Sequence, residues 1–218
     1  MKAKLLSCVL TIVLLACRPS SKDAELISTS AHKVFAIEES ERNHFTAANQ
    51  VDTLLVQTEH SLVYWKGEKL TKSHDGSIAI DQAYLLYQKG ELIGGKFVLD
   101  MEQIKVLDLQ GEDKARLEGK LKGKAFFKVD QYPKSELEIL KEDSGRIEAN
   151  LKILGKTKTI SFPFKIVDRG EEFELTAHFN IDRTDWGVIY GSGTFLDLAK
   201  DKAISDYISF DIKLRAKK

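Results

Sequence analysis

Phe173-Glu174-Leu175-Thr176-Ala177-His178-Phe179-Asn180-Ile181-Asp182 carries five apolar side chains at alternate positions. Strand side chains alternate between two faces, whereas a helix would scatter these residues around its circumference. The segment therefore reads as a half-buried β-strand. The same signature recurs at Ile147, Ala149, Leu151 and Ile153, at Ile160, Phe162, Phe164 and Ile166, and at Ile208, Phe210, Ile212 and Leu214. Earlier, Val63 and Trp65 share a face, as do Phe97, Leu99 and Met101. Turn signals at Lys66-Gly67, Asp75-Gly76, Lys89-Gly90, Ser144-Gly145, Leu154-Gly155-Lys156 and Arg169-Gly170 separate the runs. Short strands joined this way predict an antiparallel all-β domain closed as a barrel or a sandwich. Residues 113–121 break the pattern: Leu117 and Leu121 are spaced i,i+4 behind Asp113 as N-cap, which predicts one short helix.

The N-terminus has a different character. Lys2 and Lys4 precede an apolar run from Leu5 to Ala16, too short to span a bilayer and suited to a signal peptide. It ends in Leu14-Leu15-Ala16-Cys17, which resembles the bacterial lipobox. The expectation is a lipoprotein signal peptide over 1–16, a lipidated Cys17 and polar tether over 17–50, and one domain over 51–218. Within the tether, Val34 to Ile37 reads either as a short strand or as a segment lying on the domain. Acyl chains on Cys17 would attach the protein to a membrane at the cell envelope. Arg18 is not the aspartate associated with inner-membrane retention, so the expected place is the outer membrane, with the domain periplasmic or surface-facing.

Composition narrows the chemistry. Lys+Arg and Asp+Glu balance at 33 each, and loss of Lys2 and Lys4 leaves about −2, so no basic excess points to nucleic acid. Lys120, Lys122 and Lys124 alternate with apolar or small residues and read as a solvated face. Cys8 lies in the leader, which leaves Cys17 alone and no intramolecular disulfide. His32, His44, His60, His74 and His178 are scattered without metal-ligand spacing, so no metal site is expected. Gly191-Ser192-Gly193 lacks the Gly-x-Ser-x-Gly spacing of a hydrolase elbow and reads as a turn. Neither an enzymatic activity nor a cofactor is expected.

Several segments, in order, resemble the YceI-like family: Ser61-Leu62-Val63-Tyr64-Trp65-Lys66-Gly67 followed by Lys69, His74 and Gly76; Gly94-Gly95-Lys96-Phe97-Val98-Leu99-Asp100-Met101; Leu117 to Lys122 leading into Phe126-Phe127; Tyr132-Pro133; Phe162-Pro163; and Asn180-Ile181-Asp182-Arg183-Thr184-Asp185-Trp186-Gly187 with Tyr190-Gly191-Ser192. The resemblance implies a lipocalin-like antiparallel barrel of about eight strands. It also implies a commonly dimeric protein that binds, without turnover, a polyisoprenoid, a quinone tail or a fatty acyl chain. The chain departs from the family pattern at Lys120-Leu121-Lys122-Gly123-Lys124-Ala125, where His-Leu-Lys and then a polar and an acidic residue are usual.

On this reading Val63, Trp65, Phe97, Leu99, Phe126, Phe127, Phe162, Phe164, Phe179, Ile181, Trp186, Tyr190 and Phe210 are the candidates for the ligand's apolar wall. Lys69, His74, Asp182 and Arg183 are candidates for a polar mouth. Each has a plainer alternative: Lys69 and His74 as solvated loop residues, Asp182 and Arg183 as local partners capping the turn before Trp186. The competing reading of the whole chain is a membrane-anchored interaction protein whose barrel is filled by its own side chains.

Overall fold

A computed structural model describes residues 50–195 and 202–218, which form a nine-stranded antiparallel sheet and one α-helix. Cys17, the expected signal peptide and Val34 to Ile37 lie outside the described residues. The elements are β1 (Asp52–Val56), β2 (Leu62–Lys69), β3 (Lys72–Gln88), β4 (Glu91–Val106), α1 (Gly111–Lys122), β5 (Lys134–Asp143), β6 (Arg146–Ile153), β7 (Lys156–Asp168), β8 (Glu172–Asp182) and β9 (Ile204–Lys217).

The sheet closes on itself. Each of β2 to β9 pairs with its sequence neighbour, β4 and β5 doing so across the insertion of α1, and β9 returns to β2. The result is an eight-stave barrel. β1 and β2 share one stave, because both lie between β3 and β9: β1 meets Tyr84–Tyr87 and Ala216–Lys217, and β2 meets the opposite halves of the same strands. A 3-10 turn at Thr58–His60 interrupts the stave. Across this break the backbone of β9 at Arg215 stays bonded, as Gln57 N–H donates to the Arg215 carbonyl at 2.8 Å and Arg215 N–H donates to Ser61 Oγ at 3.0 Å.

Alternation holds where it was clearest in the sequence. Phe173, Leu175, Ala177 and Ile181 are buried along β8, and Ile147, Ala149, Leu151 and Ile153 along β6. One end of the barrel is packed solid: Leu54, Leu85 and Ala149 are inaccessible, and Tyr87 meets Phe173 edge-on at 5.1 Å.

Two expected turns and the helix start differ from expectation. β2 runs through Lys66-Gly67 to a turn at Leu70 and Thr71, and β3 runs straight through Asp75-Gly76. Gly76 serves packing here: a Cβ would sit 1.9 Å from the Lys105 carbonyl oxygen of β4 and 2.5 Å from the Trp65 ring. A strand glycine often marks such a close approach. Register shifts near Ser77/Ala79 and Ile80/Gln82 add the local bends a closed sheet needs. The helix begins at Gly111 with Gln110 as N-cap, so Asp113 lies inside its first turn, where it pairs with Arg116 and favours the positive end of the helix dipole.

Candidate functional site

The end opposite the solid core is open, and α1 stands beside it. Glu118 Oε1 accepts the Val106 N–H at 2.9 Å, which pins the helix to the end of β4. His74 Nδ1 lies 2.7 Å from Asp108 Oδ2, and Asp75 N–H donates to the other oxygen at 3.2 Å, which ties the start of β3 to the segment leading into α1. Burial works to raise the pKa of Asp108, but the His74 and Asp75 hydrogen bonds outweigh it and hold the carboxyl below its ordinary value.

Two adjoining cavities follow from this arrangement. The inner one, ≈ 80 Å³, lies within the barrel and is lined by apolar side chains apart from Ser135, Glu136 and Arg183. Its wall includes Phe162, Phe179 and Phe210 on β7, β8 and β9. Phe179 stacks on Phe162 at 4.2 Å and on Phe210 at 5.6 Å, giving a flat aromatic surface across three staves. The outer cavity, ≈ 230 Å³, lies between the β2–β3 hairpin, the start of β9, and α1 with the two phenylalanines that follow it. Ile78, Phe127, Arg183, Ile208 and Phe210 line both cavities and form the partition between them.

The sequence candidates distribute unevenly. Val63, Phe97, Leu99, Phe162, Phe179, Ile181 and Trp186 line the inner cavity, Trp65 and Phe126 the outer, and Phe127 and Phe210 both. Phe164 packs against the core without lining either cavity. Tyr190 also lines neither: it is exposed, lies 5.3 Å from Phe126, and carries Lys120 Nζ 5.0 Å above its ring.

Among the polar candidates, Lys69 and His74 line the outer cavity. Asp182 does not. It caps the 3-10 turn Arg183–Trp186, accepting from Thr184 N–H at 2.9 Å and from Thr184 Oγ1–H at 2.6 Å, while Gly187 closes the turn at φ 85°. Arg183 touches both cavities but is only 2% exposed. Its guanidinium donates to the carbonyls of Ser205 (2.9 Å), Ile204 (3.2 Å) and Val188, and to Asp206 at 3.3 Å. Burial pushes its pKa below the ordinary value against the opposing pull of Asp206 and Asp182. It joins the turn after β8 to the start of β9, so its first role is structural. Ser192, buried, accepts from Thr194 and Phe195 N–H at 3.2 and 3.4 Å and is the turn residue its glycine neighbours suggested.

Sequence reading missed the aliphatic floor of the inner cavity as a lining, although Leu175, Ala177, Ile212 and Leu214 carried the same alternation. It also missed Lys72 and Lys120 at the outer cavity, for which no local pattern exists. Trp65 Nε1 is buried without a hydrogen-bond partner among the described residues, whereas Trp186 Nε1 donates to the Leu151 carbonyl at 3.0 Å. Among the described residues no group of three or more His, Cys, Asp and Glu side chains is placed to hold a metal ion.

The model of the YceI-like domain matches residues 41–216, almost the whole span of the barrel and the eleven residues before β1. The chain belongs to the YceI-like domain family. Comparison with curated proteins returns no match. Among solved structures, this YceI-like barrel is similar to BcnA of Burkholderia cenocepacia, with TM-score 0.62 and 16% identity over 74% of this chain and 99% of that one. It is also similar to a polyisoprenoid binding domain from Saccharophagus degradans implicated in plant cell wall breakdown, with TM-score 0.57 and 13% identity over 77% of this chain and 99% of the other. At such identities the likeness concerns the fold. Within the YceI-like barrel, the departure at Lys120 falls on the wall of the outer cavity.

Proposed function

We propose that this YceI-like barrel binds one long apolar lipid, a polyisoprenoid, quinone tail or fatty acyl chain, and carries or stores it at the cell envelope without chemical turnover. The observation that carries the reading is the pair of adjoining cavities, apolar and aromatic inside, open at one end and closed at the other. Inner ≈ 80 Å³ and outer ≈ 230 Å³ together reach about 310 Å³, the lower end of the roughly 300–1,000 Å³ usual for small-molecule sites. A lipid tail therefore enters as a single extended chain, and the partition side chains Ile78, Phe127, Ile208 and Phe210 turn aside to admit it. Because each buried CH₂ contributes about 0.8 kcal/mol, affinity rises about fourfold per added carbon until the cavity is full. The polyisoprenoid-binding relative from Saccharophagus degradans supports this reading by fold.

Attachment through an acylated Cys17 places the barrel on the outer membrane in the same proposal, and cell fractionation of Cys17→Ser against the unaltered protein tests that part. The ligand is tested by native mass spectrometry of Cys17→Ser purified without detergent. A stoichiometric adduct released on denaturation supports binding, and the same spectrum reads monomer or homodimer. A protein that stays free of adduct after incubation with long-chain lipids refutes it. The small inner volume favours the second reading, a filled barrel presenting its outer face to a partner, and that result would select it.

A further inference from the structure

The outer cavity carries charge that the apolar tunnel does not use. Lys69, Lys72, Lys120 and Arg183 line it with His74, against one carboxylate, Glu68. That carboxylate is engaged by Lys66 at 2.5 Å, and Arg183 is committed to Asp206 and three carbonyls. Lys69, Lys72 and Lys120 have no acidic partner among the described residues. Several lysines elsewhere on the barrel are met by acids: Lys96 and Lys152 share Glu136, Lys134 lies between Asp81 and Asp100, and Lys217 meets Glu172.

The geometry makes the three lysines converge. Lys69 and Lys72 are directly opposed register partners at the tip of the β2–β3 hairpin, an arrangement of like charges that costs stability in an antiparallel pair. Lys120 comes from the far side of the opening, in the last turn of α1. Trp65 lines the same cavity, and its indole N–H is buried with no acceptor among the described residues. The mouth thus offers cations, and its single carboxylate is already taken.

Resting on the lipid-binding reading above, we infer that the head group of the bound lipid is anionic, a phosphate or a carboxylate, held at the outer cavity by Lys69, Lys72 and Lys120 while its tail runs inward past Phe127 and Phe210. The opposed lysines then become a site completed by ligand, and head-group charge selects among lipids with equal tails.

The test uses matched probes at equal chain length: geranylgeranyl monophosphate against geranylgeraniol, and palmitate against hexadecanol. Each is titrated below its aggregation concentration into Cys17→Ser and followed by tryptophan fluorescence and native mass spectrometry. Exposed ion pairs of this kind, three together, give the acidic member of a pair about tenfold tighter binding at low ionic strength. That advantage collapses in 1 M salt, where the screening length is about 3 Å. Lys69→Gln/Lys72→Gln/Lys120→Gln closes the gap between acid and alcohol, and Lys165→Gln, exposed on β7 and away from both cavities, leaves the gap intact. Preference for the phosphate alone or the palmitate alone identifies which acidic head is meant. Equal affinity of acid and alcohol in both pairs, or a gap that survives the triple substitution, overturns the inference while lipid binding stands. Failure of all four probes to bind overturns both.

Discussion

Arg183→Met tests whether the buried guanidinium is a structural tie or a ligand contact. Methionine fills much of the same volume but removes the guanidinium donors to the carbonyls of Val188, Ile204 and Ser205 and to the carboxylate of Asp206, which retains the Thr194 hydroxyl. Removing one partner of a buried pair costs about 3–5 kcal/mol. Orphaned carbonyls cost about 1–3 kcal/mol each when water cannot reach them. The bonds to Ile204 and Ser205 are only part-buried, so water recovers some of that loss, and only the Val188 carbonyl is fully enclosed. The expected total is about 4 kcal/mol. With a urea m-value of about 2 kcal/mol/M for a domain of this size, the midpoint falls by about 2 M. Arg183→Lys keeps the charge but not the fork, and falls between the two. Urea unfolding of Cys17→Ser with and without each change, followed through Trp65 and Trp186 fluorescence, reads the difference. A loss below about 1 kcal/mol for Arg183→Met, the level of an ordinary exposed pair, would refute the structural role and return Arg183 to the list of ligand contacts.

Gly76→Ala should destabilise by about 3 kcal/mol, because its Cβ meets the Lys105 carbonyl and the Trp65 ring; Gly67→Ala, with nothing within 4 Å of its Cβ, is the control, and similar thermal midpoints for the two would contradict this packing. Phe179→Ala removes the middle ring of the aromatic stack; it should lower stability by about 3 kcal/mol and abolish retention of co-purified lipid, as should Trp65→Ala at the outer cavity, whereas undiminished lipid in both would place the ligand elsewhere. The carboxyl of Asp108 has a pKa held below its ordinary 3.8, so its contribution is present above that pH and is lost as pH falls through the lower, folded value. Thermal midpoints of the unaltered protein and Asp108→Asn should therefore differ at neutral pH and converge towards pH 2; a gap that persists there would exclude titration of Asp108 as its source.

Much of the barrel was legible because each strand buries one face, so Phe173 to Ile181 and Ile208 to Leu214 announce their direction residue by residue. The expected turn at Asp75-Gly76 failed for the opposite reason. What places Gly76 inside a strand is the indole of Trp65 on one neighbouring strand and a carbonyl on the other, and neither is near it in sequence. The site divides along the same line. Aromatic residues on inward faces were readable, but Tyr190 and Phe164 show that an aromatic at the right spacing need not reach the cavity. In sequence Lys120 has the pattern of a solvated surface charge, because only the docking of α1 against β4 brings it to the mouth.

Closure by β9 has a consequence for how the chain must be made. Its partner Ser61 lies 154 residues before Arg215, and both seams of the last stave, to β8 and to β2, wait for the same late segment. Until that segment docks, the other strands form an open sheet with two unsatisfied edges, the kind of surface that recruits other chains. Long-range pairing of this sort is slow to form. A cell producing the protein therefore handles an adhesive intermediate whose lifetime is set by arrival of the final strand, and overproduction should yield aggregates before it yields folded barrels.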